Sequence, residues 1–512
     1  MTERVPRLSR ATLDSVNRSS LVSGPPSWSA DVSVGIVHFG VGAFHRAHQA
    51  VYSEDAMAAT GQRNWGILGV TGRTDAAVTQ LQPQDGLFTV ITRSTRGDTA
   101  RIVGSLRAVH WPGDDSAEIA DMLASPAVHL ATLTITEKGY RLTSAGTVDF
   151  SLPEVRADVS VICRELTDGS PCTEPSLTPL GLLVRGLARR YRNGARPFTV
   201  LPCDNIPQNG AVTRAAVREL AAAVARSTAV DVSGFSTWLE RGVAFPSSVV
   251  DRLVPAATPR DLAEGEKLLG LRDEGLVVAE EYSQWVIEDA FAGPRPEWER
   301  VGAILTDDIR PYEHAKLRVL NAAHSMFAYL GALAGYATIA EAVADTFLRE
   351  RVNEALTVDV LPTLTAPRGL DLPTYRDVVL DRFGNPALAH TTRQVASDGS
   401  LKVPLRIIST VRSRLASGHV PQGLALALAA WIAFVAESMR DGAPPLDDPQ
   451  AEMLHAAVRD PDAPECDPER LVDRVFALRS IVPADVAEHT EFRDAVVAKL
   501  ADVAAIVAAP LA

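Results

Sequence analysis

The sequence predicts an α/β protein: a doubly wound, mainly parallel sheet in the N-terminal part and a mostly α-helical C-terminal part. Three observations carry this expectation. Strand-like runs at 34–39, 65–70, 129–135 and 198–204 alternate with helical stretches such as SAEIADML and NGAVTRAAVRELAAAVAR, the pattern of parallel strands joined by crossover helices. The first strand runs into a glycine turn, GVG at 40–42, ahead of a helix. Beyond about residue 300 apolar residues recur every three or four positions, with Gly and Pro as breaks, which is helical texture.

Residues 1–30 read as an irregular lead-in, and Val34 to Phe39 as a buried strand. LFTVITR (87–93) and RIVGSLRAVHW (101–111) read as two strands joined through STRGDTA, a hairpin added to the parallel sheet. HLATLTI and FTVLPCD continue the sheet. The turn-rich stretch EDAFAGPRPEWERVGAILTDDIRPYE marks the join, so residues 1–300 form the first expected domain and 301–512 the second. GLALALAAWIAFVA, the longest apolar run, is short for a bilayer span and reads as a buried helix.

Bulk properties narrow the function. A chain of 512 residues has material for at least two cores. A formal net charge of -13 argues against nucleic acid or an anionic membrane as the main partner. Cys163, Cys172, Cys203 and Cys466 show no C-x-x-C or zinc-ribbon spacing, and scattered thiols fit a reducing compartment. The first residues, MTERVPRLSRATLDSV, lack the apolar segment of a signal peptide. A cytoplasmic protein, either a monomer or a small homo-oligomer, is expected.

GVGAFH at 40–45 keeps two of the three glycine positions of a dinucleotide fingerprint, with His45 at the third. Gly40 permits the turn, and Gly42 lets a pyrophosphate approach the main chain. A plain strand–helix turn would look similar. The fingerprint also expects an acid after the second strand; here GVTGRTD puts Arg73 ahead of a late Asp75, so NAD and NADP both stay open. His38, His45 and His48 have no acid nearby and read as packing or hydrogen-bonding groups, not metal ligands.

RPYEHAKLRVLNAAHSMFAYLG (310–331) carries polar groups on an otherwise apolar helix, with Pro311 at its first turn. At 3.6 residues per turn and with Lys316 at zero, Glu313 falls at about 60°, His324 at about 80° and Asn321 at about 140°. Both faces are largely apolar, so the helix is expected to be enclosed, and an enclosed Lys or His must be paired or functional. A structural Lys316–Glu313 ion pair with a core His324 is one reading. Chemistry supplies the other. A desolvated Lys can act as a base near neutrality, Asn donates to a developing alkoxide, and His polarises an oxygen. Those are the parts of a metal-free alcohol–carbonyl oxidoreduction.

At this point the chain resembles the polyol-specific long-chain dehydrogenases, the mannitol 2-dehydrogenase and fructuronate reductase family. The resemblance rests on GVGAFHRAHQA (40–50), TITEKGY (134–140), PCDNIPQNG (202–210), FPSSVVDRLVP (245–255), EEYSQWVIED (280–289) and KLRVLNAAHS (316–325), in the family's order. It implies a Rossmann-type N-terminal domain, a helical substrate and catalytic domain, and a site between them. It implies Lys316 as general base, Asn205 and Asn321 as oxyanion donors, His324 as the group binding the reacting hydroxyl, and Glu313 as a gate for proton exchange. Asp251 and Arg393 would bind substrate, and Gly40, Gly42, Phe44 and Arg73 the coenzyme, NAD with NADP possible, and no metal. The expected reaction interconverts a polyol and a ketose, mannitol to fructose in type. A keto-uronate reductase, with Arg393, Lys402 or Arg406 facing the carboxylate, is the alternative, and a non-catalytic dinucleotide-binding regulator is the reading from another class.

Overall fold

The computed structural model describes residues 5–72, 74–94, 96–167, 172–194, 196–228, 231–388, 390–459 and 467–508; Arg73 and Cys466 lie outside them. The chain divides into two compact units, Met1–Ile309 and Arg310–Ala512.

The strands of the first unit are, in chain order, β1 (Val22–Ser23), β2 (Val34–Phe39), β3 (Gly66–Val70), β4 (Phe88–Arg93), β5 (Thr99–Val103), β6 (Leu106–His110), β7 (Leu130–Leu133), β8 (Phe198–Pro202), β9 (Val243–Ala244), β10 (Ser248–Asp251), β11 (Val277–Glu280), β12 (Gln284–Glu288) and β13 (Ile304–Thr306). Six form a sheet in the order β6-β3-β2-β7-β8-β9. Every pairing in it is parallel. Numbered within the sheet this is 3-2-1-4-5-6, the doubly wound arrangement of dinucleotide-binding folds. Side chains alternate across it, as a pleat requires. Val37, Phe39, Leu68 and Val70 face one core, which the helices Pro112–Ala124, Pro153–Thr167, Pro179–Arg192 and Asn209–Ser227 cover. Ile36 and Ile67 face the other, closed by the helix Gln49–Thr60 together with Trp285 and Trp298.

The expected hairpin needs correcting. β4 and β5 do pair antiparallel, but in a separate four-stranded sheet ordered β1-β5-β4-β11. RIVGSLRAVHW is two strands, and its second half, β6, is an edge of the parallel sheet. The break falls at Gly104–Ser105. The buried Glu54 carboxylate accepts the Gly104 N–H at 2.6 Å and Arg101 at 2.8 Å, and Ser105 Oγ donates to the Ala50 carbonyl at 2.8 Å. A bulkier residue at 104 would press on Ser29 and Pro25. Alternation of apolar residues carries no trace of such a switch between sheets. The lead-in is irregular yet fastened: Leu8, Val16 and Val22 pack with Leu87, Ile102, Leu269 and Leu271, and Val22 pairs with Ala100.

The second unit is helical. Gln422–Glu437, the apolar run noted above, is buried almost throughout. No helix among the described residues is long and apolar enough to cross a membrane. Among the described residues three stretches wind as π-helix: Lys316–Asn321, Leu356–Val360 and Pro404–Ile408. The first lies inside one continuous helical run, after Arg310–Ala315 and before Ala322–Leu333.

Candidate active site

In the first unit the carboxyl ends of β2, β3 and β7 open onto a cavity of about 430 Å³. Strand order reverses between β2 and β7, the switch point at which α/β sheets bind ligands. Phe39, Gly40, Val70, Thr71 and Gly72 line one side, and Thr134–Gly139, Arg141 and Ser176–Pro179 lie opposite. Gly40 has φ +95°, and a Cβ there would run into the Thr134 carbonyl, so glycine is required. Its N–H donates to Val70 O at 2.8 Å, which ties the turn to β3. A Cβ at Gly42 would meet only the Gly40 carbonyl oxygen, at 3.8 Å, and the residue precedes the short helix Ala43–Ala47. Phe44 is in that helix, half-buried and stacked on His48 at 5.0 Å; it is not among the cavity's lining residues. Arg73 is outside the described residues, and Asp75 is exposed ahead of the helix Ala76–Leu81, leaving Thr71 and Gly72 at the end of the second strand.

The cavity wall suits a dinucleotide. Thr71 and Ser176 are buried, and their hydroxyls have no hydrogen-bond partner among the described residues, so the wall holds spare polar capacity. Two lining residues, Thr136 and Arg141, sit at positive φ, 60° and 54°. For a β-branched threonine that is an outlier of the kind that gathers at functional sites.

The histidines are packed. His38 Nδ1 lies 2.7 Å from Thr132 Oγ1 and Nε2 2.9 Å from Thr134 Oγ1, and burial pushes its pKa down to about 3. His45 stacks on it at 3.4 Å, and burial holds that ring well below the usual range too. His48 Nε2 lies 2.9 Å from the Gln284 carbonyl oxygen. A different trio, His110, Asp115 and Glu118, brings ligand-type atoms within 4.8 Å of one another, but Asp115 already accepts the Trp111 N–H and Glu118 is exposed. Asn205 is exposed after β8, and Asp251 is buried at the end of β10. The neighbouring Arg252 donates to Glu280 O and Ala47 O, which fixes the strand's exit.

In the second unit Glu313, Lys316, Asn321 and His324 all lie on the Arg310–Leu333 run. Two features of the expected helix are corrected. It is not enclosed along its length: Glu313, Lys316, Leu317 and Arg318 are half-buried, and only from Val319 does the core close around nearly every residue. Nor is its winding uniform. In the π segment hydrogen bonds run from i to i+5, so Lys316 and Asn321 stand to each other as i and i+4 do in an α-helix, not at 140°. His324 stacks on Phe383 at 4.6 Å, and its Nε2 is enclosed without a hydrogen-bond partner among the described residues. Burial, then Arg406, His390, Lys402 and Arg382, hold its pKa well below the usual histidine value, so it is neutral at physiological pH. Arg406 donates to Ser325 Oγ at 3.0 Å, on the same run. Lys402 Nζ donates to Val395 O at 3.2 Å, and burial first, then Arg406, lower its pKa to about 8. Arg393 is exposed on the helix Thr392–Ala396, its guanidinium 5.9 Å from the Phe434 ring.

Sequence reasoning gave no individual role to Thr71, Thr136, Ser176 or Asp204. Thr71, Thr136 and Asp204 lie inside the stretches GVTGRTD, TITEKGY and PCDNIPQNG; Ser176 becomes visible only when the topology brings the ends of β3 and β7 together with the 172–178 loop.

A six-stranded parallel sheet in this order, with a cavity at its switch point, defines a dinucleotide-binding protein carrying a helical second unit. The chain matches the mannitol dehydrogenase Rossmann domain over residues 34–300 and the mannitol dehydrogenase C-terminal domain over residues 308–504. D-mannonate oxidoreductase of Escherichia coli (strain K12) is 38% identical over 422 residues, 81% of this chain and 83% of that one. Mannitol 2-dehydrogenase of Cereibacter sphaeroides is 37% identical over 404 residues, 78% of this chain and 80% of that one. The solved Pseudomonas fluorescens mannitol 2-dehydrogenase, a ternary complex with NAD and D-mannitol, is 32% identical with a TM-score of 0.83, covering 98% of each chain. The chain belongs to the mannitol dehydrogenase family and is an oxidoreductase acting on a CH–OH group.

Proposed function

We propose that this protein interconverts an acyclic polyol of the mannitol type and the corresponding ketose, with NAD as coenzyme, residues 1–300 holding the dinucleotide and 301–512, the helical substrate and catalytic domain, supplying the base. The coenzyme supplies the hydride acceptor when bound. Gly40, Thr71, Thr136 and Ser176 are the lining groups suited to hold it. Lys316 takes the proton of the reacting hydroxyl, and Asn205 and Asn321 donate to the alkoxide as its charge grows. Neutral His324 uses its unpaired Nε2 toward the same hydroxyl. Glu313 passes the proton between Lys316 and solvent, and Asp251 and Arg393 bind the remaining hydroxyls. The observation that carries this reading is the π winding of Lys316–Asn321, which makes a base and an amide neighbours on one helix. The test is NAD(P)-linked absorbance change against a panel of polyols, ketoses and uronates. No turnover with any hexitol or pentitol would overturn it.

One observation favours a second reading. Arg406, Lys402 and Arg382 all bear on His324, an environment suited to a sugar-acid carboxylate and to reduction of a keto-uronate. Lys402 is cationic below its pKa of about 8 and neutral above it. Affinity for a keto-uronate would then fall as pH rises through about 8, while affinity for a neutral ketose would not. Turnover of ketoses alone, with no uronate reduced at any pH, would exclude this reading.

A further inference from the structure

β8 ends at Pro202, and two residues on the chain presents Asp204 and Asn205 in opposite ways. Asn205 is exposed, whereas Asp204 is buried. Asp204 Oδ1 accepts the Thr136 N–H at 2.7 Å, and Oδ2 accepts the Tyr140 hydroxyl at 2.9 Å. Tyr140 is itself met by Thr213 Oγ1 at 3.3 Å. One carboxylate therefore clasps both ends of the short helix Thr136–Gly139, which lines the cavity. Thr136 has φ +60°, a conformation that persists only where the surroundings hold it, and the bond from its N–H to Asp204 is such a hold. On the main-chain side, the Asp204 carbonyl accepts Asn209 Nδ2 at 3.0 Å. The same Asn209 amide bridges to Ser248 on β10, donating to its carbonyl at 2.8 Å and accepting its N–H at 3.0 Å.

We propose that Asp204 is a positioning residue: its carboxylate holds the Thr134–Tyr140 wall of the cavity in its binding shape, and its backbone, pinned through Asn209, presents Asn205. The proposal rests on reading the cavity as the coenzyme site. The ionised carboxylate can accept from both donors at once; a protonated one places its own hydrogen against one of them. Burial raises the Asp204 pKa to about 6, against the bonds from Tyr140 and Thr136. The titratable groups around it are Tyr140, Glu137 and Cys203. Burial, then Asp204, raise Tyr140 well above its usual value, so it stays a donor. The clamp is whole above about pH 6 and loosens as pH falls through that value.

The experiment is titration of the full-length protein with NADH and NADPH from pH 5 to 8, for wild type, Asp204→Asn and Tyr140→Phe, with thermal melts alongside. Wild type should lose coenzyme affinity on acidification through about pH 6. Asp204→Asn should bind at least about tenfold more weakly at neutral pH, the size expected for losing a charged acceptor, and lose that pH dependence. Tyr140→Phe should bind about threefold more weakly, with its acidic loss moved to higher pH because one bond favouring the ionised carboxylate is gone. A purely structural role would lower the melting temperature of the variants and leave affinity and pH profile of the folded protein alone. A folded Asp204→Asn with wild-type affinity across the range overturns the clamp. Should that variant not fold, an unmoved pH profile in Tyr140→Phe overturns it instead. Wild type binding neither coenzyme overturns the cavity reading beneath it.

Discussion

In the first unit the candidate site is built mainly from main chain: turns at Gly40 and Thr71, a strained Thr136, and the 172–178 loop around a cavity that exists as a shape. In the second unit the candidate groups are side chains on a single helical run, set by where its winding changes from α to π and back. The first arrangement recognises a large ligand through a preformed surface. The second, on the proposed reading, places a base, an amide and an imidazole for one proton and one developing charge. They should therefore break in different ways, the first in coenzyme affinity and the second in turnover.

The largest effect is expected at Lys316. Lys316→Ala should lower polyol oxidation by roughly 10²–10⁴-fold, the usual loss for a positioned base, while coenzyme titration stays as in wild type. Wild-type oxidation should rise with pH through one ionisation and then level off, and ketone reduction should favour the protonated base. A folded variant with an unchanged rate and profile would make Lys316 structural and erase the contrast between the units. Next comes Asn321→Ala, with a loss of about 10²–10³ in kcat and little change in KM, as for removal of an oxyanion donor. A change in KM alone would move Asn321 from chemistry to binding. Gly40→Ala should show the opposite signature. An alanine at φ +95° against the Thr134 carbonyl costs on the order of 1–3 kcal/mol. Coenzyme affinity and melting temperature should both fall, with kcat at saturating coenzyme changing least. The smallest effect should follow metal removal: dialysis against a chelator should leave turnover intact, and activity lost and then restored by zinc would overturn a base-driven mechanism.

Much of this was legible beforehand, for physical reasons that also explain the gaps. The parallel sheet and its glycine turn could be read because strand–helix alternation and G-x-G each follow from a local constraint. The Arg310–Leu333 run could be read as a polar face on an apolar element. Its π turn could not, since KLRVLN has the apolar spacing of an ordinary α-helix and nothing in residue type marks the extra residue. The split of RIVGSLRAVHW between two sheets escaped for a similar reason: the groups that enforce it, Glu54 and Ala50, are about fifty positions upstream. Thr136 was hidden because a β-branched residue gives no sign of positive φ; the hold comes from Asp204, beyond an intervening strand.

The π turn has one more consequence, best put as phase. A π segment fits one residue more into its turn than the α-helix it interrupts. One residue of α-helix is a rotation of about 100°, so the helix after Asn321 is out of step with the helix before Lys316 by that amount. Deleting any single residue between Leu317 and Leu320 would let the run wind as α-helix throughout and leave His324 facing as it does now relative to Lys316. Winding the undeleted stretch as plain α-helix would instead keep every side chain yet turn His324 by about 100° relative to Lys316. Winding in this helix acts as an angle, and the residue absorbed between Lys316 and Asn321 belongs to the candidate site as fully as its side chains do.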